Sequence, residues 1–495
     1  MVKYLCIFEA QKKHIHMDKL IGRQAERATL DQYIKSGKSE FVALYGRRRI
    51  GKTYLIKQHF GNKFDFYMSG TIDAGKSVQL ANFREGLINA GLEDARLPKN
   101  WQDAFAMLKQ VLSTKVGTKK RCVIFIDEIP CLDTPKSGFI GALDHFWNTW
   151  CADHSNVMLI VCGSATSWII NNIIDNHGGL HNRITHEMYL RPFNLGETEQ
   201  YLAEYGFAYD RYSICQLYMA IGGVPYYLSL LDSTKSVAQN IDRLFFGASA
   251  QLRTEYERLF KSLFRNSVPY MQVMEVLASA QGGVTRDEIV AKTKISSGSQ
   301  LTIILRDLEN CDFIRHFRSK GKKIRSNKHI YQVVDMFTMF HIRFCREETT
   351  DENYWTHSVN TPSVNTWSGY AFERLCFLHI NQIKRALGID RIRTEHYSWR
   401  SSACDTKSQI DLAIERADRM INICEIKFCD APYVIDKDED MKLRVRLANF
   451  RAETATRYGL LLTMIAPFGI TNGKYSSQIK EVVTIDDLFS NVSNA

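Results

Sequence analysis

The sequence predicts an α/β protein: a parallel sheet built around a phosphate-binding loop, then helical and hairpin segments, then a second α/β segment. Three observations carry this. The apolar run Phe41-Val42-Ala43-Leu44-Tyr45 ends in Gly46-Arg47-Arg48-Arg49-Ile50-Gly51-Lys52-Thr53, and a helix-compatible segment starts at Tyr54. Two later apolar runs, 122–128 and 157–164, end in polar residues and are set apart by helical periodicity, the pattern of buried parallel strands alternating with helices. Far downstream, a hairpin pattern over 409–428 follows a helix that begins near Gly369.

A phosphate cradle needs this strand–turn–helix order. Gly46 and Gly51 accept backbone angles and close approaches that a Cβ forbids. The loop amides and the helix N-terminus then converge on an anion. Lys52 reaches the β/γ-phosphates of ATP and the Thr53 hydroxyl ligates Mg²⁺, with Arg47, Arg48, Arg49, Ile50 and Tyr54 completing the site. Three consecutive arginines are unusual in such a loop, and at least one is expected to face away and reach a neighbouring element.

Composition sets the frame. At 495 residues, 45% hydrophobic and 24% charged, the chain is an ordinary globular protein long enough for about three domains. The net charge of +10 suggests a nucleic-acid partner only if it is concentrated. Twelve cysteines lie scattered without a C-x-x-C pair, which reads as reduced thiols in a cytoplasmic protein. No apolar run approaches the ~18 residues of a membrane span.

In chain order, residues 1–16 read as an extension and 17–195 as the nucleotide-binding core. Leu30, Tyr33 and Ile34 share one helix face ahead of the loop strand. A second strand over 64–68 and helices near 83–92 and 101–112 lead to Cys122-Val123-Ile124-Phe125-Ile126-Asp127-Glu128. Here Asp127 holds Mg²⁺ through water and Glu128 orients or deprotonates the attacking water. Ser164 ends the next strand and is a candidate γ-phosphate sensor. Arg183 precedes a strand over 185–190 and could reach a nucleotide on its own or a neighbouring subunit.

Residues 196–262 are helical and form a lid, broken by Gly222-Gly223-Val224-Pro225. Residues 263–345 run helix, helix, helix, hairpin, the order of a winged helix. The hairpin is strongly basic and acid-free over 314–328, so DNA phosphates are its expected partner, with protein contact the alternative. The amphipathic segment 336–344 is expected to pack back on that domain, and 346–365 reads as a linker. In the last segment, 366–495, strand alternation places Asp411 away from Ile410 and Leu412 and puts Glu425 and Lys427 on one face. An Asp on one strand and Glu-x-Lys on the next is the PD-(D/E)xK metal-nuclease constellation. Asp411 and Glu425 would bind Mg²⁺, Lys427 would activate water, and Glu373 on the preceding helix would add an acid.

Together, Gly22-Arg23, the 46–53 loop, Asp127-Glu128-Ile129-Pro130, Leu190-Arg191-Pro192-Phe193 and Gly222-Gly223-Val224-Pro225 resemble the archaeal-type ATPases of the STAND class of P-loop proteins. The segment with Gly369, Phe372, Glu373, Asp411 and Glu425-Ile426-Lys427 resembles the restriction-endonuclease-like domain that often follows that ATPase. The resemblance implies an ATP-dependent switch, with Pro225 in the lid against the nucleotide base. It also implies ATP, Mg²⁺ and DNA as ligands, and a second copy or another protein as a further partner. The alternative is an ATP-regulated signalling or scaffold protein whose nuclease-like domain binds a partner without catalysis.

Overall fold

The computed structural model describes residues 19–175, 182–280, 282–318, 329–347, 349–401 and 408–490. The expected extension 1–16 and the basic segment 319–328 lie outside these residues. The chain divides into two compact units, one of residues 1–45, 51–164 and 168–190, the other of residues 46–50, 165–167 and 191–495. The division falls inside the phosphate-loop sequence itself. Among the described residues, the longer helices are numbered α1–α15 in chain order.

The first unit holds helix α1 (Gln24–Lys35), β1 (Glu40–Tyr45), α2 (Lys52–His59), β2 (Phe66–Ser69), α3 (Lys76–Asn89), α4 (Trp101–Leu112), β3 (Cys122–Asp127), α5 (Phe139–Thr149), β4 (Val157–Gly163) and β5 (His186–Tyr189). The sheet order is β2-β3-β4-β1-β5, parallel throughout. Phe41, Val42, Ala43 and Leu44 are all fully buried, so β1 has no solvent face, as a central parallel strand requires. Phe83, Trp101, Phe105, Phe139 and Phe146 fill one core cluster around Phe41, Ile124 and Leu159. Register positions the chemistry: Tyr45 pairs with Gly163 and Ile126 with Val161, so β1, β3 and β4 end level and their loops emerge at one edge.

The second unit begins with α6 (Leu195–Glu204) and α7 (Arg211–Ile221), followed by α8 (Glu255–Leu263). Next come α9 (Val268–Ala278), β6 (Val284–Thr285), α10 (Arg286–Thr293), α11 (Ser299–Asn310), β7 (Ile314–Arg318) and β8 (His329–Val333). The short strand β6 is absent from the sequence reading; two residues are too few to show alternation, yet Val284 pairs with Tyr331 and completes an antiparallel sheet ordered β6-β8-β7. Helix α12 (Met336–Phe344) packs chiefly on α7, not only back on this three-helix segment as the sequence suggested. The expected linker is also packed: its short helix Tyr354–Ser358 buries Trp355 beside Phe340 and Phe344, and the Trp355 amide donates to Asp242 Oδ1 at 2.7 Å.

The unit ends with α13 (Pro362–Leu378), α14 (Ile380–Ala386), β9 (Thr394–Arg400), β10 (Gln409–Arg416), β11 (Met420–Ile426), α15 (Lys437–Thr454), β12 (Gly459–Ile465) and β13 (Ile479–Val483). The sheet order is β13-β12-β11-β10-β9; β9, β10 and β11 form an antiparallel meander, while β12 and β13 run parallel to β11. Helix α15 makes the β11-to-β12 crossover that a parallel pair needs. Its Leu443 and Phe450 pack on Trp399, Ile410 and Ile423. Among the described residues no helix is long and apolar enough to cross a membrane.

Candidate functional site

In the first unit, Lys52 and Thr53 open α2 directly after Gly51, whose φ of +87° suits glycine. Lys52 is buried, 6% exposed. Thr53 Oγ1 donates to Asp127 Oδ2 at 2.7 Å. Burial, with Glu128 adjacent, raises the Asp127 carboxyl above its ordinary range although the Thr53 bond opposes this. A hydroxyl oxygen against a desolvated carboxylate is a hard-oxygen pair that suits Mg²⁺. Glu128 follows with φ +45°, a left-handed conformation uncommon for a non-glycine residue. Ser164 meets it: its Oγ donates to Glu128 Oε1 at 2.7 Å and its amide to Oε2 at 3.3 Å. Ser164, the candidate γ-phosphate sensor, is therefore hydrogen-bonded to Glu128.

Arg183 lies elsewhere. It is exposed just ahead of β5, where the Thr185 amide donates to Phe41 O at the start of β1. Arg183 thus lies ahead of the β5 residue His186, which pairs with Val42 of β1.

In the second unit, Arg47, only 2% exposed, is paired with the carboxylate of Asp335 and lies 5.2 Å from the Phe313 ring centre. Asp335 also caps α12, accepting from the Thr338 amide at 2.9 Å. Arg49, at φ +71°, reaches Glu255 Oε2 at 2.6 Å and stacks 4.1 Å over Tyr226. Glu255 is buried at the start of α8 and accepts from Tyr227 Oη at 3.1 Å, while the Tyr226 amide donates to Arg49 O at 3.4 Å. Ile50 is buried, whereas Arg48 is partly exposed; Tyr54, on α2 in the first unit, is half-buried. Pro225 sits in the same turn as Tyr226. That turn is clamped to the 191–193 turn, because the Phe193 amide donates to Gly223 O at 2.7 Å and a Cβ on Gly223 would strike Phe193 O. Two turns distant in sequence thus meet. Sequence reading missed Asp335 and Glu255; the signals were the demand of three loop arginines for partners and the Asp-x-x-Thr spacing of a helix cap.

The β10–β11 hairpin gathers Asp411, Glu425 and Lys427, with Glu373 on α13 close enough to couple electrostatically. The register between β9 and β10 shifts between Ile410 and Ala413, the stretch that holds Asp411. Burial, then Glu425 and Glu373, push the Asp411 carboxyl well up; burial likewise raises Glu373. Glu425 is 4% exposed and gripped by two cations, Lys427 Nζ at 2.9 Å and the guanidinium of Arg446 on α15. Lys427 also reaches Glu439 at 3.2 Å. Burial disfavours the Lys427 ammonium, yet Glu425 outweighs it and the group is shifted up. Among the described residues no group of three or more His, Cys, Asp or Glu side chains is arranged to hold a metal ion. Of the acids expected to bind metal, Glu425 and Glu373 both act on Asp411, and Glu425 is the counter-ion of Lys427 and Arg446. Arg446 lies on the crossover helix, where no sequence motif pointed.

A five-stranded parallel sheet with a loop lysine, Thr53–Asp127 and Glu128 at one edge defines a P-loop ATPase domain. Residues 20–231 match the family described as an ATPase domain predominantly from Archaea, so this part of the chain carries an archaeal-type ATPase domain. An uncharacterized protein of Methanocaldococcus jannaschii is 24% identical over 434 residues, 85% of this chain and 89% of that protein. Similar solved structures include a Walker-type ATPase of Pyrococcus abyssi, with 16% identity, 66% of this chain, 97% of that chain and a TM-score of 0.48. Another is the Aeropyrum pernix ORC2 protein, with 13% identity, 66% of this chain, 93% of that chain and a TM-score of 0.40.

Proposed function

We propose that the protein is an ATP-hydrolysing switch that acts on DNA through a winged helix, residues 263–345, and a nuclease-like C-terminal domain. The observation that supports the switch is the pairing of loop residues Arg47 and Arg49 with Asp335 and Glu255. Any backbone shift that phosphates impose on residues 46–50 is transmitted to the starts of α12 and α8, and α12 directly follows the basic hairpin.

In turnover, Lys52 contacts the β/γ-phosphates, while Thr53 and Asp127 would hold Mg²⁺. The ion supplies neutralisation of the phosphate charge. Glu128 takes a proton from the attacking water, and Ser164 fixes the carboxylate for that task. Lys52→Ala is expected to abolish nucleotide binding; Glu128→Gln is expected to bind ATP but not hydrolyse it. Unchanged hydrolysis in both variants refutes the assignment.

The C-terminal reading is supported by Asp411 and Glu425-x-Lys427 on neighbouring strands beside a helix-borne acid. A second reading, a partner-binding module without catalysis, is favoured by the Lys427 and Arg446 contacts that occupy Glu425. Incubation with DNA, Mg²⁺ and ATP separates them. Cleavage that Glu425→Ala and Lys427→Ala both remove supports the nuclease, whereas DNA or protein binding without cleavage that survives both changes supports the module.

A further inference from the structure

A cavity of about 660 Å³ lies between α9, β8, α12 and the start of α13. Its volume is in the range that encloses a small organic ligand. Part of the wall is apolar, from the end of α9, Val333 and Met339. The polar part is Ser279, Arg343, Arg374, Ser363, Thr366, Trp367 and Tyr370, and among the described residues no Asp or Glu lines it.

The arrangement favours an anion. Arg374 is 4% exposed, with Glu373 Oε2 at 3.6 Å, and Arg343 donates to Ser363 Oγ at 2.8 Å. Ser363 and Thr366 lie in the first turns of the seventeen-residue α13, whose N-terminal end carries positive partial charge. Trp367 is 7% exposed and its buried indole N–H has no hydrogen-bond partner among the described residues. A neighbouring cavity of about 490 Å³ shares Trp367 but is lined by Asp430 and, among the described residues, by no Arg or Lys, so the preference for an anion belongs to the first.

We propose that this cavity is a binding site for a small oxyanion with an apolar body, an organic phosphate or carboxylate. The guanidinium of Arg343 and the start of α13 take the oxyanion, and the walls from α9 and β8 take the apolar part. An occupant would touch both the three-helix segment that carries the basic hairpin and the first helix of the C-terminal sheet. A nucleic-acid duplex is too large to enter, so the ligand is a free small molecule.

The test uses the full chain with its phosphate loop saturated by ADP. Phenyl phosphate and phenylacetate are titrated separately by calorimetry, with benzyl alcohol as the uncharged control. Saturable binding of one or both anions is expected, and the stronger of the two identifies the oxyanion. Arg343→Ala is expected to weaken it about tenfold, the loss of one charge-assisted hydrogen bond. Arg343→Gln, which keeps the stem and a donor to Ser363, replaces Arg343→Ala if that variant melts early. Absence of saturable anion binding overturns the proposal, as do binding unchanged in the variants and equal binding of benzyl alcohol.

Discussion

Replacing Asp335 by Asn tests the connection between the phosphate loop and α12. Asn keeps a side-chain oxygen for the Thr338 amide, so the helix cap survives and the change isolates the charge. What remains is Arg47, 2% exposed, without its carboxylate. Removing one partner of a buried ion pair costs about 3–5 kcal/mol, because the other charge stays desolvated. At about 1.4 kcal/mol per decade, amide protection should fall roughly 100- to 3,000-fold where that pair holds the structure. Hydrogen exchange with peptide resolution reads this locally, at residues 46–50 and in the first turn of α12, with α3 as an internal control. The double change Arg47→Met with Asp335→Asn removes both charges and should restore more than half of the lost protection. Additive losses in the double variant, or protection in residues 46–50 unchanged by Asp335→Asn, would refute the coupling.

Two further outcomes are expected. Ser164→Ala should lower kcat while leaving the affinities for ATP and ADP alike within about twofold, since the hydroxyl acts through Glu128; selective loss of ATP affinity would instead mean direct contact with the γ-phosphate. His379 gives a pH signature. Its Nδ1–H donates to Leu375 O at 2.9 Å and its Nε2 accepts from the Leu195 amide at 3.0 Å, so the ring is held neutral, and burial pushes it from 6.5 to about 4. Between those values the unfolded chain binds the extra proton. This stability is therefore complete above pH 6.5 and falls as pH drops toward 4, by about 3 kcal/mol. Thermal melts at pH 7.5, 6 and 5 check this, and His379→Gln should flatten the trend; an equal slope in both proteins counts against it.

Strands β1, β3 and β4 were legible because a strand buried on both faces is a continuous apolar run, and each ended in residues with a chemical reason to be there. The helices of the three-helix segment were legible from their periodicity and the β10–β11 hairpin from its alternation, whereas β9, α15, β12 and β13 went unread. What escaped was set by tertiary contact. Strand β6 is too short for periodicity, and Trp355 turned a polar stretch into a packed one through Asp242. The partners of Arg47 and Arg49 lie more than 200 residues downstream, beyond the reach of any local pattern. Ser164 shows the same limit in miniature: its position at the end of β4 was readable, but its engagement of Glu128 depended on the left-handed turn that Glu128 makes. Glu425 was identified as a metal ligand from spacing, whereas Arg446 arrives from a helix that the motif does not include.

The central claim is that nucleotide turnover and DNA contact are linked through the loop arginines. The most direct measurement is the steady-state ATPase rate with and without duplex DNA, for the native chain and for Asp335→Asn. The account predicts a rate that changes several-fold with DNA in the native chain and a response that is lost in Asp335→Asn, with basal hydrolysis still stopped by Glu128→Gln. An ATPase rate indifferent to DNA, or a DNA response that survives Asp335→Asn intact, would contradict it.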